Sequence, residues 1–479
     1  MCMKIKFKLS IFLVFIHIIS GSAKELEGDL IIKNVNIVNV LDGSVSRSMD
    51  ILIIRDRITE ILNHDNSSTY KAFEVINGEG QFLIPGLWDM HTHSWWAYEY
   101  FFPMLLVNGV TGIREMWGEQ TEIDKIRIGI TNGSIKGPDI FSAGPIIDGS
   151  PPLWKGSDSA DSPERGREFV RKQKAEGADF IKVYTFLERA VYFAIADECK
   201  KQGISFGGHI PLKISLEEAL NSGQISLEHF FGILEFCSSQ KESLYSSMIN
   251  ENNEEKNDTL FEPRKFSTFL NRMKFETETF DRSKLPELVT LLSQSNSWIC
   301  PTLVAAEGSI NRSLPDFKPM EEIKFMPDFA VENWNPKVDT SKADLQNRNR
   351  QIESDWYALV TSVFRTMLDG DVKFLAGTDF PNPYCYPGYS LHEELRLFVE
   401  KCGFTPLEAL QTATINPAVF LKMDNELGTV EINKKANFVL LGSDPLENIN
   451  NTKNINGIIL RGKFHAQSEL KDSLKLKTR

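Results

Sequence analysis

Cysteine is scarce in this chain, which has 6 cysteines in 479 residues. Cys2 precedes the first apolar run, whereas a lipid-anchor cysteine would follow it. The other five cysteines have no CxxC or other tight spacing (Cys199, Cys237, Cys300, Cys385, Cys402). Their odd number and wide spacing argue against a disulfide scaffold, although one bridge in an oxidising compartment is compatible with them.

Basic residues are also fewer than acidic residues in this chain. The chain has 53 lysines and arginines against 65 aspartates and glutamates, which gives a net charge of −12. Residues 1–23 contain three lysines and no acid, so their removal changes the net charge to −15. A chain this acidic is poorly suited to nucleic acid or anionic lipid. We therefore expect no nucleic-acid partner and no stable membrane association.

The N-terminus has the three-part pattern of a secretory signal peptide. Three lysines precede the apolar run Leu9–Ile19, and the small residues Gly21–Ala23 follow it. This pattern predicts cleavage after Ala23 and export to the periplasm or the medium. A retained membrane anchor is the alternative, but the run is well short of the roughly 20 residues that span a bilayer.

The remaining composition is typical of a large globular protein, with 42% hydrophobic and 25% charged residues. Short β-rich stretches with Gly turns occupy residues 24–84, and similar stretches return over residues 423–470. We predict that these two segments together form a small β-sandwich domain. Residues 85–422 form a larger central domain, residues 471–479 form a tail, and the fold class is α/β.

Within residues 85–422, short buried-strand signals alternate with longer helical stretches. Eight strand signals occur in this order: GLWDMHTH, GVTGIREM, IFSAGPII, DFIKVY, ISFGGHI, ISLEHF, WICPTL and VKFLAGTDF. The alternation predicts a (β/α)8 TIM-like barrel, in which functional side chains lie at the C-terminal ends of the strands.

Polar residues suited to a metal site occur at the ends of the first, fourth, fifth, sixth and eighth of these strands. They are, in chain order, His91 and His93, Lys182, His209, His229 and Asp379. Residues i and i+2 of a strand face the same side, so His91 and His93 can both face the interior. Imidazole nitrogen and carboxylate oxygen are ligands of divalent ions such as Zn²⁺.

Each of these residues has a plainer interpretation. A single histidine beside aromatic residues or glycines, such as His229 or His209, is more often a hydrogen-bonded core residue. Asp379 could cap a helix or occupy a turn. Lys182 could be an ordinary lysine paired with an acid. The common position of all these residues at strand ends favours a metal site instead.

Several segments resemble the metal-dependent amidohydrolase superfamily. PGLWDMHTH, GVTGIREM, GADFIKVY, GGHIP, SLEHF and AGTDF occur in the family's order, followed by TPLEALQTATINPAVFLKM. The sequence motifs are most similar to those of exported amidohydrolases of the Xaa-Pro dipeptidase and imidazolonepropionase types. The resemblance runs over essentially the whole chain after the leader.

The resemblance implies a centre of two divalent ions, with zinc as the favoured metal. It assigns three residues to the buried ion and two to the outer ion (His91, His93 and Asp379; His209 and His229). Lys182 would bridge the ions after reaction with CO₂, because a protonated ammonium has no acceptor for a metal and the carbamate has two anionic oxygens.

The reaction implied is hydrolysis of an amide carbon–nitrogen bond in a small molecule, a dipeptide or an N-acyl amino acid. A metal-bridging hydroxide would attack the carbonyl, with Asp379 as general base and then general acid. One alternative is a mononuclear cyclic-amide hydrolase or deaminase with unmodified Lys182. Another is a catalytically silent binding protein, against which the complete set of site residues argues. A homo-oligomer is compatible with the sequence.

Substrate recognition is less well specified by the sequence. Trp95, Trp154 and His392 are candidate substrate contacts, with core packing and a solvated helix start as the alternatives for Trp95 and His392. Long segments at residues 236–296 and 304–350 could form a lid or plain surface helices. They contain arginines that could bind a carboxylate (Arg264, Arg272, Arg312, Arg348, Arg350). GGHIPLKIS lacks the tyrosine common in dipeptidase-like relatives, which weakens that particular assignment.

Overall fold

The computed structural model describes residues 25–250, 263–312, 314, 317–332, 334 and 343–475. The predicted signal peptide, residues 1–23, lies outside the described residues. In the part of the chain that the structure describes, no helix combines the length and apolar character needed to cross a bilayer. The mixed α/β class predicted from the sequence is confirmed.

Seven short strands of the central region lie where the sequence predicts strands. They are Leu87–Thr92, Val110–Glu115, Asp139–Ser142, Phe180–Val183, Ser205–Gly208, Ser226–Glu228 and Trp298–Cys300. Most residues of these strands are buried, as expected for parallel strands covered on both faces, and Asp139–Ser142 is the most exposed of the seven. The predicted third strand IFSAGPII is broken in the structure, because Asp139–Ser142 ends early and a separate short strand, Ile147–Asp148, begins at the last residue of the segment. A further short strand, Asp158–Ser159, follows.

Parallel pairing joins these strands in chain order, and the segment around Phe380 then pairs with the first strand. Ladders connect the first three strands and the last four. Single parallel bridges complete the circuit at Ala143–Phe180, Ile299–Phe374 and Thr92–Phe380. We call this arrangement the parallel circuit. It brings the C-terminal ends of all its members to one side, where a site can form.

The eighth predicted strand, VKFLAGTDF, lies in the circuit but forms no continuous strand. Its backbone pairs on both sides, through Met90 N to Ala376 O and Leu375 N to Ile299 O, each 2.9 Å. The Ala376 amide instead donates to Thr412 O at 3.0 Å, and Asp379 has a left-handed φ of 58°. The bond to Thr412 interrupts the regular ladder three residues before Asp379, and the left-handed conformation falls on Asp379 itself.

Helices follow most strands and cover the circuit. The α-helices are Tyr98–Val107, Gln120–Asn132, Pro163–Ala175, Arg189–Gln202, Leu216–Asn221, Lys241–Asn250, Pro263–Thr279, Leu285–Gln294, Leu303–Asn311, Asp328–Val331, Ala343–Asp369, Tyr389–Glu400, Pro406–Thr412, Ile415–Phe420 and Gln467–Lys475. The 3-10 helices are Trp95–Ala97, Leu234–Cys237, Arg282–Lys284, Glu321–Phe325 and Ile449–Lys453. Ser215 and Thr405 each form a capping box, with Glu218 and Glu408 respectively, which sets where two of these helices begin.

Strands from both ends of the chain share one sheet. Its order is Lys463–Ala466, Ile455–Leu460, Phe438–Leu441, Phe82–Pro85, Leu30–Val38, Val45–Ile54 and Arg57–Asn63, with Glu74–Asn77 also on Leu30–Val38. A second pair, Glu25–Glu27 with Thr69–Lys71, packs Leu26 against Ile31 and Leu52. The antiparallel pair of Phe438–Leu441 with Phe82–Pro85 directly joins the two ends. The five described cysteines are buried and unpaired.

Candidate metal centre and active site

The two histidines of the first strand converge on the carboxylate of Asp379. Its Oδ1 lies 3.3 Å from His91 Nε2 and 3.1 Å from His93 Nε2. Their potential ligand atoms all lie within 4.8 Å of one another, a spacing at which one metal ion could contact all three. Thr92 faces away and contacts the backbone of Arg114, as the alternation of a strand requires.

Two further histidines complete the convergence. His229 Nε2 lies 3.7 Å from Asp379 Oδ2, and its ring centroid lies 4.6 Å from that of His91 and 4.9 Å from that of His209. Each ring is oriented by a threonine hydroxyl, His209 Nδ1 by Thr185 at 2.8 Å and His229 Nδ1 by Thr302 at 2.7 Å. Both rings therefore direct Nε2 towards the centre of the site.

The backbone around the site is unusual. His229, Thr302 and Asp379 have left-handed φ values of 61°, 49° and 58°, a conformation that L side chains rarely adopt. Such outliers cluster at functional sites, because the surrounding structure must stabilise them. Gly377 matters for the same geometry, since a Cβ there would lie 2.8 Å from the backbone nitrogen of His91.

Lys182 lies in the middle of this group and is 1% exposed. Among the described residues, its Nζ makes no hydrogen bond or ion pair, and it lies 5.3 Å from the centroid of the Tyr184 ring. Burial lowers the pKa of Lys182 to about 8, although Asp379 and Glu228 act in the opposite direction. An unpaired buried amine without an acid partner is inconsistent with an ordinary strand-end ion pair.

A buried network of polar side chains holds His91 through its Nδ1 atom. His91 Nδ1 donates to Glu228 Oε2 at 2.8 Å, and Arg114 Nη2 donates to both oxygens of Glu228 at 2.9 and 3.0 Å. Arg114 also donates to Ser226 Oγ and to the Met90 carbonyl, at 2.9 and 2.6 Å. The network holds the His91 ring with Nδ1 as donor and Nε2 free to accept a metal.

The electrostatics favour neutral imidazoles and an ionised aspartate. Burial lowers the pKa values of His91 and His209 well below their usual value, and neighbouring cationic groups add to this. Burial also lowers the pKa of His229. For Asp379 burial raises the pKa, but His229, His93 and Lys182 outweigh it and hold the pKa below its usual value. These are the protonation states that bind a divalent metal.

The site opens into a cavity of about 520 Å³. His93, Lys182, His209, His229 and Asp379 line it. Six aromatic side chains form much of the remaining lining and are called the aromatic wall below (Trp117, Trp154, Tyr184, Phe231, Phe269, Trp356). The volume and the apolar lining with a few convergent polar groups are typical of small-molecule sites.

The long segments after the sixth and seventh strands contribute directly to this cavity. Phe269 and Met273 come from the helix Pro263–Thr279, and Ala305, Ala306 and Ser309 come from Leu303–Asn311. Glu353 and Trp356 come from the long helix Ala343–Asp369. These helices therefore form part of the cavity lining.

The three candidate substrate residues have different positions. Trp154 lines the cavity, and its Nε1 donates to the Tyr184 hydroxyl at 2.8 Å. Trp95 is not part of the lining and packs behind Trp117, with ring centroids 6.1 Å apart. The structure does not bring His392 to the cavity. Its ring is buried, and both nitrogens bond elsewhere (Thr452 Oγ1 and the Asn108 carbonyl).

The residues present fit a divalent metal. His91 Nε2 and His209 Nε2 are buried without a hydrogen-bond partner, although both face polar groups of the site. Buried polar atoms are normally satisfied, so such orphaned nitrogens indicate a missing partner. Imidazole and carboxylate donors suit zinc and similar ions, and the neutral histidines are ready to coordinate.

Comparison with known proteins identifies the family. A sequence profile described as “Amidohydrolase family” matches residues 82–464. The chain belongs to the amidohydrolase family. This confirms the family resemblance and the enzyme class, a hydrolase of carbon–nitrogen bonds.

Curated relatives match this amidohydrolase over short segments. Dihydroorotase from Carboxydothermus hydrogenoformans is 52% identical over 64 residues, which cover 13% of this chain and 14% of the relative. Imidazolonepropionase from Symbiobacterium thermophilum is 34% identical over 79 residues, 16% of this chain and 18% of the relative. The matches thus span less than a fifth of these relatives' length.

Solved structures show the same fold over almost the whole chain. A Xaa-Pro dipeptidase with bound methionine in the active site has a TM-score of 0.64 and 19% identity, covering 91% of this chain and 99% of that chain. Bottromycin amidohydrolase has a TM-score of 0.67 and 18% identity, covering 94% and 89% respectively. Ochratoxinase from A. niger has a TM-score of 0.61 and 18% identity, covering 91% and 95%.

The sequence did not identify the residues that support the amidohydrolase site. Glu228 and Arg114 had no assigned role, and neither had Thr185 or Thr302. A signal was present for the first two, because GIRE and SLEH place charged residues inside strands that are otherwise buried. Buried charges are rare unless they are paired, so two of them in neighbouring motifs suggested a partnership.

Proposed function

We propose that the protein is an exported, binuclear metal-dependent amidohydrolase that cleaves an amide bond in a dipeptide or an N-acyl amino acid. The observation that carries the proposal is that five of the six predicted residues line one cavity (His93, Lys182, His209, His229, Asp379), while three histidines lie close to the Asp379 carboxylate (His91, His93, His229). Export rests on the leader pattern of residues 1–23.

The proposed architecture is a (β/α)8 barrel, residues 85–422, with a small β-sandwich domain from residues 24–84 and 423–470. The closed parallel circuit supports the barrel. The sheet shared by both chain ends, together with the pair that covers Leu26, supports the small domain.

Two divalent ions would lower the pKa of a water molecule and polarise the substrate carbonyl. His91, His93 and Asp379 would hold the buried ion, and His209 and His229 the outer ion. Asp379 is ionised and accessible from the cavity, so it can accept a proton from the attacking water. The same carboxyl group would then pass that proton to the leaving amine. The aromatic wall excludes bulk water from the step.

Lys182 is proposed to be the bridge between the two ions. As a protonated amine it has no acceptor, and among the described residues no carboxylate lies within ion-pair distance of its Nζ, although Asp379 and Glu228 act on it electrostatically. Reaction of the neutral amine with CO₂ forms an N–C bond and releases a proton, giving a carbamate with two oxygens. Those oxygens would supply the anionic ligands that the unmodified amine lacks.

A second candidate, a mononuclear cyclic-amide hydrolase or deaminase, is favoured by one observation. His91, His93 and Asp379 alone among these site residues form a tight group of potential ligand atoms in the described structure. This group suffices for one ion. In that case Lys182 stays unmodified and the fifth- and sixth-strand histidines contact substrate.

The proposed function is tested by screening dipeptides, N-acyl amino acids and cyclic amides with the zinc-loaded protein. We expect hydrolysis of linear amides in the wild type. Asp379→Asn should abolish turnover while the protein still binds substrate, because only proton transfer and one ligand oxygen are changed. Cleavage of cyclic amides alone would support the second candidate, and no turnover of any amide would contradict both.

A further inference from the structure

One arginine lines the cavity among the described side chains of the long segments. Arg312 directly follows the helix Leu303–Asn311 and belongs to the lining together with Asp379 and His229. It makes no ion pair with a described residue. A guanidinium at a partly enclosed apolar cavity is a strong binder of carboxylates, because its planar donors match both oxygens.

The other candidate arginines with described side chains are engaged or lie elsewhere. Arg272 is buried and pairs with Glu235. Arg350 donates to Asn347 at 3.0 Å on the exposed face of its helix, and Arg348 is exposed outside the cavity lining. The structure therefore selects Arg312 from residues that the sequence could not rank.

Arg312, Thr302 and His229 line the same cavity, so one small molecule in it can contact both the guanidinium and the candidate metal centre. Its helix begins immediately after Thr302, whose hydroxyl holds His229. Ten residues of helix rise by roughly 15 Å, and helical side chains point back towards the helix start. An arginine side chain that follows this tendency shortens the separation between its guanidinium and Thr302, and two extended residues span at most about 7 Å.

Outside the candidate metal centre, two other charged side chains share the cavity lining with Arg312. Glu353 accepts a hydrogen bond from Ser309 Oγ at 3.1 Å, and burial raises its pKa, although Ser309 and Arg312 act in the opposite direction. Lys155 also lines the cavity but is exposed, so its ammonium remains hydrated. Arg312 is the better placed of the two cations to bind a desolvated anion.

The aromatic wall defines the other feature of the substrate. Phe231 stacks on Trp356 with centroids 5.4 Å apart and contacts Phe269 at 5.3 Å. Tyr184 stacks on His209 at 3.9 Å, which extends the aromatic surface to the metal centre. A surface of this kind favours a bulky apolar group over a small or charged one.

We propose that Arg312 binds the carboxylate of the substrate while the aromatic wall binds a bulky apolar side chain, so that the substrate is an N-acylated or N-terminally extended aromatic or large aliphatic amino acid. This rests on the proposed function and makes it more specific. Arg312 acts in binding and orientation and takes no part in proton transfer.

The kinetic test compares N-acetyl-L-phenylalanine with its neutral carboxamide and with N-acetylglycine on the zinc-loaded protein. Arg312→Met should raise KM for N-acetyl-L-phenylalanine about 10- to 100-fold, with kcat changed less than about threefold, because a charge-assisted pair is lost. Arg312→Lys should recover part of the loss. KM for the carboxamide should not change, and N-acetylglycine should be the weaker substrate. Arg348→Met is the surface control, and Lys155→Met tests the other cation of the cavity.

Calorimetric binding of N-acetyl-L-phenylalanine to the Asp379→Asn protein provides a second readout that needs no turnover. Arg312→Met in that background should weaken binding by a similar factor. The role of Arg312 is overturned if Arg312→Met weakens the acid and the carboxamide equally, or if it changes neither KM nor binding affinity. It is also overturned if only Lys155→Met weakens recognition of the acid. If the wild type hydrolyses no amide, the proposed function fails, and the binding measurement still decides whether Arg312 recognises a carboxylate.

Discussion

His91 Nδ1 lies 2.8 Å from Glu228 Oε2, and both side chains are completely buried. Glu228 accepts this hydrogen bond and also pairs with Arg114, so its charge is balanced without using the histidine. The pair fixes the His91 ring and leaves Nε2 directed at Asp379. The relationship makes Glu228 a positioning residue for the proposed metal centre. It directly precedes His229, another proposed ligand, in the chain.

Glu228→Gln should therefore reduce metal affinity and kcat/KM by about 10- to 100-fold, the usual effect of losing a partner of a ligating histidine. The protein should remain folded because glutamine keeps the shape. Metal affinity by competition with a chelating dye, together with steady-state kinetics, checks this. Glu115→Gln is the matched control, since Glu115 is also buried but bonds Ser94 and not a histidine. Equal effects of both substitutions would contradict the specific role of Glu228.

Arg114→Met should destabilise the protein strongly. It leaves Glu228 buried without its cation, which typically costs about 3–5 kcal/mol. Arg114 lies between the rings of Phe180 and Phe420, at 5.8 and 5.1 Å, so methionine can fill much of its space. Urea unfolding of the metal-free protein measures the change. Combining Arg114→Met with Glu228→Gln should restore part of the stability, and additive losses would show that the two residues act independently.

Trp356→Phe should weaken substrate binding without affecting chemistry. Trp356 Nε1 donates to Glu276, which anchors the ring of a cavity-lining residue to the helix Pro263–Thr279. Phenylalanine keeps the contact with Phe231 but loses this anchor. We expect KM for an aromatic substrate to rise about 3- to 10-fold with kcat nearly constant. A fall in kcat with unchanged KM would place Trp356 in the catalytic step.

Stability should depend on pH through Glu394. Its oxygens accept from Leu303 N at 2.9 Å and Val304 N at 2.7 Å, where the helix that leads to Arg312 begins. Burial raises the pKa of Glu394 from 4.5 to about 8, although these bonds act in the opposite direction. Between about pH 4.5 and 8 the native state thus binds more protons than the unfolded state. The free energy of unfolding therefore falls as pH rises through this window.

Glu394→Gln removes this dependence, because glutamine does not ionise. The variant loses one acceptor and should be less stable than wild type at pH 5. The deficit should shrink towards pH 8, by up to about 1.4 kcal/mol for each pH unit. Urea unfolding of both proteins at pH 5, 6, 7 and 8 measures it. Parallel stability curves would show that Glu394 does not titrate in this range.

The order of strands and the position of the site residues were predictable because parallel strands leave strong local signals. His91, His209, His229 and Asp379 each follow a short apolar run, and the ends of parallel strands meet on one side. The orientation of His91 and His93 followed from the period of a strand. No such local rule applies to Arg312 or Trp356, which reach the cavity from helices in long segments.

The eighth strand shows a different kind of limit. VKFLAGTDF has the apolar pattern of a strand, but the Ala376 amide bonds to Thr412 and the ladder is broken. That partner lies at the end of a later helix, so only the tertiary structure reveals it. His392 was misplaced for a similar reason, since its partners Asn108 and Thr452 are remote in sequence. Long-range hydrogen bonds of this kind have no signature in a single segment.

The most direct test of the account is the metal content of the wild-type protein after zinc loading in bicarbonate buffer, measured by elemental analysis alongside ¹³C NMR of protein labelled with ¹³CO₂. We expect close to two zinc ions per chain and a carbamate resonance that disappears in Lys182→Arg, which keeps the charge but cannot carry the bridge. One ion per chain with no carbamate resonance would contradict the binuclear centre, and no bound metal would contradict the proposed function as a whole.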